Sequence, residues 1–414
     1  LAVFVLAALG AGIPASGAGD SDWNQWRGPK RDGLSPDTGL LKAWPTGGPP
    51  LAWKATGIGG GFSSVSVQGD RIFTMGDVGE DCNVIALGLD GKILWSTKLA
   101  GASAPKDQGG YPGPRCTPAT DGTLVFALGA FGDLICVQRA DGKEVWRKNL
   151  GKDFGGRVMS GWGFSESPLL DGDNLICTPG GSNGTVLALK KATGEKVWQS
   201  SELTDRAAYA SLVPVEIGGV RQYLILTDAS VAGIAAADGK VVWRAKRSGK
   251  TAVIPDPIYK DGIVFVTSGY GVGCNGFKVT AAGGKFSAEE VYSGGQLENH
   301  HGGVILVGDH LYELDNKGGL KCAEIATGKV VWEDKSVGKG SIAYADGHLI
   351  VRSERQKTGT IALVEATPTG YKETGRFDQP NLSGKQTWPH PVVFGGKLYI
   401  RDQDVLLCYD VKAK

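Results

Sequence analysis

The sequence is short of the features that announce the common chemistries. Its seven cysteines include no adjacent pair and no C-x-x-C, which argues against a disulfide framework or a metal cage. Charge of one sign is missing too: 44 lysines and arginines face 43 aspartates and glutamates, a net charge of +1, with no basic or acidic run. That balance favours neither nucleic acid nor an anionic membrane as partner. No apolar stretch is long enough to span a bilayer. A phosphate-binding glycine loop, a nucleophile elbow and an HExxH helix are all absent, so the usual marks of nucleotide, acyl-transfer and zinc-hydrolase chemistry are missing. What is abundant is glycine, 65 of 414 residues, placed at regularly spaced turns rather than in low-complexity tracts.

Those turns belong to a repeat. The segment Asp238, Gly239, Lys240, Val241, Val242, Trp243 returns as close copies ending in Trp95, Trp146, Trp198 and Trp332, each after a short apolar run. A period of roughly 40 to 50 residues with a recurring Trp and several strand-like runs is the pattern of a β-propeller blade. Each unit reads as four strands, A to D. The A-to-B turns number eight: Gly69/Asp70, Asp121/Gly122, Gly172/Asp173, Gly218/Gly219, Asp261/Gly262, Gly308/Asp309, Asp346/Gly347 and Gly395/Gly396. These dipeptides supply the positive φ of two-residue hairpins. The C-to-D turns number seven, from Asp90/Gly91 to Thr369/Gly370, and the last unit ends without a D strand. A D-like segment around Trp53, with no A, B or C before it, supplies the missing strand. The sequence therefore predicts an all-β, eight-bladed β-propeller of four-stranded antiparallel blades over 49–414, closed by its N-terminal strand. Six tryptophans, Trp53, Trp95, Trp146, Trp198, Trp243 and Trp332, are assigned a docking role between blades, with Tyr292 and Phe377 in the equivalent place where Trp is missing. Cys136, Cys322 and Cys408 take the repeat position of Ala86 and Ala188 and read as small core residues.

Ahead of the repeat, residues 1–18 form a short apolar run followed by small residues, the pattern of a cleaved signal peptide. The run opens at Leu1 with no Met or basic segment, so its start is expected to be truncated. No cysteine follows it to carry a lipid, and a soluble, exported or periplasmic monomer without membrane insertion is expected. Residues 19–48, rich in Gly and Pro, read as an extended arm lying over the folded body and anchored by Trp23, Trp26 and Arg27.

The segments VIALGLDGKILW, VLALKKATGEKVW and AEIATGKVVW resemble the PQQ-type, tryptophan-docking repeat of eight-bladed quinoprotein propellers, a unit shared with the outer-membrane assembly lipoprotein BamB. WNQWRGPKRDG, PRCTPATDG, GGRVMSGWGFSESPL, ENHHGGVILVGD and the C-terminal WPHPVVFGGKLYIRDQDVLLCYDVKAK are similar to exported proteins described as PQQ-binding-like β-propeller repeat proteins. The resemblance covers essentially the whole mature chain and implies the fold. Quinoprotein dehydrogenases of this fold hold PQQ between a Trp and two adjacent disulfide-linked cysteines, with calcium nearby. This chain has no such cysteine pair and is shorter. No cofactor is therefore expected, with PQQ and calcium kept as the alternative.

In a propeller the B-to-C and D-to-A connections share one face, and in this chain they are the long, irregular ones. Function is expected there, around the channel mouth. The residues entering the A strands differ from blade to blade: Arg115, Trp162, Glu166, Tyr209, Asp256, Asn299, His300, His301, Lys339, Trp388 and His390. His300 and His301, as strand neighbours, are expected to point to opposite faces and not to share a metal, and no metal site or catalytic residue is assigned. Glu166 or Asp256 could pair with His301 as acid and base. A sugar or peptide held by Trp162, Trp388 and Tyr209, with Arg115 and Glu166 fixing its polar groups, uses these residue types better. The leading expectation is a non-catalytic scaffold binding an exported protein, peptide or glycan. A PQQ-dependent alcohol or sugar dehydrogenase is one alternative, and a hydrolase or lyase using the mouth histidines and carboxylates is another.

Overall fold

A computed structural model describes residues 22–103, 108–355 and 357–413; the expected signal peptide lies outside them. Among the described residues the strands form eight antiparallel sheets in sequence order. Blade 1 holds Ser66–Gln68, Arg71–Val78, Asp81–Gly88 and Ile93–Gly101, and the pattern repeats to blade 7, Gly340–Ala345 to Glu373–Asp378. Blade 8 has strands A to C from its own segment, Val392–Phe394, Lys397–Asp402 and Val405–Asp410. Its D strand is Leu51–Ala55, antiparallel to Val405–Asp410 with Trp53 opposite Cys408. The ring closes where the repeat count demands. Closure matters because an open propeller would leave a hydrogen-bonding edge exposed.

The repeat has a common docking geometry. The indole N–H of each D-strand Trp donates to a backbone carbonyl in the C-to-D turn of the next blade: Trp53 to Leu89 at 2.7 Å, Trp95 to Arg139 at 3.0 Å, Trp146 to Lys191 at 2.9 Å, Trp198 to Ala236 at 3.2 Å and Trp332 to Thr367 at 2.9 Å. Tyr292 does the same through its hydroxyl, to Ile325 at 2.6 Å. The rings of Trp53, Trp95, Trp146, Trp198 and Tyr292 lie against the turn glycine of the next blade. At Gly239, whose φ is +76°, an added Cβ would sit 2.4 Å from the Trp198 ring, so both the backbone conformation and the contact demand glycine. On its own blade each Trp lies opposite a small C-strand residue: Ala86, Cys136, Ala188, Gly233, Cys322 or Cys408. The cysteines are there because a larger side chain would displace the indole. All seven are buried and unpaired.

Trp243 departs from the pattern. Its N–H donates to Gln222 Oε1 of its own blade at 2.9 Å, while its ring packs with Val264, Val266, Phe277 and Val279 of blade 5. The reason is the long hairpin Gly273–Ala282/Lys285–Gly294, which runs on as paired strand where the other blades turn. The carbonyls there belong to the ladder.

The first part of the arm does not lie over the body. Residues 23–35 enter the central channel from the face of the A-to-B turns and fill it. Val67 and Thr120 donate backbone N–H bonds to Trp23 and Asn24, Leu170 donates to Gln25 Oε1, and Leu34–Ser35 adds a parallel fifth strand to blade 7 against Tyr344 and Ala345. Arg27 and Arg31 are both buried. Arg27 donates to the carbonyls of Asp32 and Val304, and Arg31 to those of Ser167 and Pro168 at 2.7 and 3.0 Å. Trp23 and Arg27 are the anchors expected, but of a plug. The rest of the arm follows blades 7 and 8, with Trp44 edge-on to Phe377, and runs into the closing strand.

Burying an indole removes on the order of 150–250 Å² from water, a gross gain of roughly 4–6 kcal/mol as an upper bound. Trp243 is 4% exposed, so Trp243→Ala should destabilise by about 3–5 kcal/mol; an unchanged melting temperature would refute its packing role. Deleting Leu51–Lys54 should abolish cooperative unfolding, and a deletion that melted like the parent would show that closure is dispensable.

Candidate functional site

Plugged from one side, the channel becomes a cup open only on the face of the long connections. Its volume is about 210 Å³. Trp26 forms the floor: its N–H donates to Asp256 Oδ2 at 2.8 Å and its ring lies 4.6 Å from that of His390. Beneath it, burial drives the Asp256 carboxyl above its usual range against the pull of Arg27 and Arg31. Ser211 N–H also donates to Asp256, at 2.6 Å. The acid is thus spent on holding the floor.

The walls are aromatic. Phe62 and Trp388 stack at 4.4 Å and 28°, Tyr111 stands 5.2 Å from Trp388, and Trp162 meets Tyr209 edge-on at 6.3 Å. Tyr209 is tied through its hydroxyl to Ser160. Arg115 lies 5.3 Å from the Phe62 ring centre, and its terminal nitrogens donate to the carbonyls of Tyr111, Gly113 and Trp162. Burial lowers its pKa to about 10, which leaves it charged at neutral pH. It fastens two connecting loops together.

Of the eleven residues expected at the mouth, the cup brings together Arg115, Trp162, Tyr209, Asp256, His300, His301, Trp388 and His390. Three lie elsewhere. Glu166 is buried behind the wall, where it accepts from Thr178 N–H; burial raises its carboxyl to about 7. Asn299 is fully buried and uses its amide on the carbonyls of Gly303 and Leu314, at 3.0 and 3.1 Å. Lys339 stands at the rim. Glu166 lies in the connection just before its A strand and Asn299 at the first residue of one, and both side chains are buried.

The two adjacent histidines do not point apart. A break in register between Asn299 and Val304 interrupts the strand alternation, and both rings line the cup, 4.8 Å from each other. Their partners differ. Lys339 Nζ lies 2.7 Å from His300 Nδ1, and Tyr270 Oη 3.0 Å from Nε2. Burial, with His301 and Lys339 adding to it, lowers His300 to about 3. The neutral ring then accepts from lysine and donates to tyrosine. His301 Nε2 stands 3.0 Å from Glu354 Oε2, and Lys339 Nζ 3.2 Å from Glu354 Oε1. The His301–Glu354 approach is poorly aligned for a hydrogen bond, and His301 Nδ1 has no partner among the described residues. Burial lowers His301 against the pull of Glu354, while at Glu354 the nearby His301 and Lys339 outweigh burial and hold the carboxyl below its usual range. The carboxylate beside His301 is Glu354, not Glu166 or Asp256.

Phe62, Tyr111, Tyr270 and Glu354 were not among the expected residues. Tyr270 and Glu354 sit on B-to-C connections, and Phe62 and Tyr111 lie upstream of the A strands. The flanking glycines of Gly269–Gly271 are the one signal for Tyr270, which adopts φ +62°, a conformation bulky residues rarely hold.

His390 donates to the His301 carbonyl (2.8 Å) and is lowered to about 3 by burial and by Arg27. Because the folded value lies below that of the unfolded chain, the stability it contributes is present above about pH 6.5 and is lost as pH falls toward 3. The melting temperature of His390→Gln should therefore fall less than the parent's between pH 7.5 and 4.5. Parallel falls would show that this ring does not titrate on unfolding.

Comparison with known proteins places these features. The family described as outer membrane protein assembly factor BamB matches over residues 80–334. BamB of Xanthomonas campestris pv. campestris is 26% identical over 211 residues, 49% of this chain and 47% of that protein. BamB of Salmonella typhimurium is 25% identical over 118 residues, 28% of this chain and 26% of that one. The matched stretches thus span about half or less of these relatives. The crystal structure of BamB from Moraxella catarrhalis aligns over 85% of this chain and 95% of that one with a TM-score of 0.61, at 16% identity, a likeness of fold. With the repeat, the ring and a matching region covering more than half its length, the chain belongs to the outer membrane protein assembly factor BamB family.

Proposed function

We infer that this chain is a non-catalytic scaffold of the cell envelope that receives one end of an extended partner, polypeptide or glycan, in the cup. The carrying observation is the plug. A channel blocked by its own N-terminal segment offers one opening, walled by aromatic faces from five different connections, and a partner that enters must present an end or a protruding group. Membership of a family named for outer membrane protein assembly supports an exported scaffold.

The polar groups support binding over turnover. Asp256 is spent on the floor and Arg115 on loop carbonyls, and burial favours the neutral form of the cup histidines. A PQQ–calcium pair fits poorly, because the carboxylates of PQQ would need free cations inside the cup, where Arg115 is committed to loop carbonyls. Titration with PQQ, with or without calcium, is expected to give no saturable quenching.

On peptide and glycan arrays the purified protein should retain a restricted set of ligands, and Trp388→Ala should lose them while melting within a few degrees of the parent. Arg115→Ala should instead destabilise by about 1–3 kcal/mol, because it leaves buried carbonyls unpaired. Ligands kept by Trp388→Ala would place binding away from the cup and overturn this reading.

A further inference from the structure

Beyond the cup, the mouth continues into a shallow basin on blades 7 and 8. The two share Tyr111, His300 and Trp388, and the basin adds Lys339, Glu354, Arg355, Lys357 and Gln386. Three cations face one carboxylate. Lys339 is paired with Glu354, but Arg355 and Lys357, both exposed, form no ion pair among the described residues. On a chain whose net charge is +1, this is local concentration of positive charge at the lip of an aromatic pocket. Such an arrangement raises the local concentration of anions and speeds their capture.

The cup itself is furnished for a neutral, hydroxylated group. Ser165, Ser167 and Ser211 line it together with His301. Ser165 Oγ and His301 Nδ1 are shielded from solvent without a hydrogen-bond partner among the described residues, and His301 is 8% exposed. A buried polar atom left unpaired is destabilising unless something arrives to pair it. Hydroxyls and neutral imidazoles both donate and accept, as do sugar hydroxyls, and the flat faces of Trp162 and Trp388 suit the apolar faces of a pyranose ring. An extended peptide would be recognised by a free strand edge or a groove. On blades 1, 2 and 7 the inner edge is taken by the plug, at Val67, Thr120 and Tyr344.

We propose that the mouth binds an anionic oligosaccharide, a neutral sugar face seated in the cup and a uronate or sulfate of the adjoining residue held in the basin by Arg355 and Lys357. The proposal rests on the scaffold reading above and narrows its partner to an acidic glycan. Glu354 sets the selectivity. It cancels the charge of Lys339 and keeps the carboxylate away from the cup wall, so the anion is drawn to the outer pair.

The test is tryptophan-fluorescence and calorimetric titration of the full chain with tri-galacturonate, a sulfated trisaccharide, neutral cellotriose and a hexaglutamate peptide. The acidic sugars should bind, with Kd rising as salt is added, and cellotriose should bind at least about ten-fold more weakly. Arg355→Ala/Lys357→Ala should weaken the acidic sugars to the level of cellotriose without altering cellotriose itself, because both residues are exposed and outside the cup. Trp162→Ala should weaken all sugars. Preference for tri-galacturonate or for the sulfated sugar identifies the anion. Equal binding of neutral and acidic sugars, or an unaffected double variant, would overturn the basin's role and leave the cup. Hexaglutamate bound more tightly than any sugar would overturn the glycan assignment while the scaffold reading stands. Failure of every sugar, with array ligands still lost in Trp388→Ala, would sink this proposal alone.

Discussion

The inner edges of the blades impose the constraint on which the rest depends. Eight short A strands surround a channel, and each turns one row of backbone N–H and C=O groups toward its axis. Groups of that kind cannot be buried unpaired without loss of stability. This chain satisfies many of them with itself: the segment from Trp23 to Ser35 bonds to blades 1, 2, 3 and 7 and carries Arg27 and Arg31 into the centre. Buried guanidiniums need partners. They find backbone carbonyls directly and Asp256 nearby, Arg27 Nε standing 4.0 Å from it, so the plug and the A strands become one hydrogen-bonded unit.

The character of the site follows from that plug. A through-channel would be wet and tolerant, whereas a closed cup is dry enough to hold imidazoles neutral. His300, His301 and His390 all titrate below the usual histidine range, each chiefly through burial. Neutral rings are hydrogen-bonding groups rather than charges. Charge is therefore moved outward to Lys339, Arg355 and Lys357, and the mouth grades from an uncharged aromatic interior to a cationic lip. That gradient is what separates this mouth from a uniformly polar opening.

The docking tryptophans and the plug divide the work of stability. The indoles act at the circumference, blade to blade, through one ring and one hydrogen bond each. The plug acts at the axis. The exception at Trp243 shows that the requirement is burial of the ring rather than the particular acceptor, since a long blade 5 hairpin removes the turn carbonyl and Gln222 replaces it. BamB-family membership at low identity is consistent with this economy: a period, a glycine and an aromatic suffice to specify the ring, leaving the connections free to vary.

The ring was written in the sequence. Turn dipeptides counted the blades, the orphan strand at Trp53 gave the closure, and Ala or Cys recurring at one repeat position marked a small core residue, because all of these are local patterns repeated at fixed spacing. Most of the mouth was legible too, since residues that differ among otherwise similar units stand out. Three matters were decided only in three dimensions. The arm could be seen as aromatic and arginine-bearing, but not that it turns into the channel, because that depends on unpaired groups contributed by several distant strands. Asn299 fell behind the wall and His301 into it because one break in register exchanges faces, and Glu166 was turned inward by an irregular connection, neither of which composition reveals. Glu354, Arg355 and Lys357 lie on the B-to-C connection of blade 7, far along the chain from His300 and His301, and only the docking of blade 7 on blade 6 sets them at the same lip.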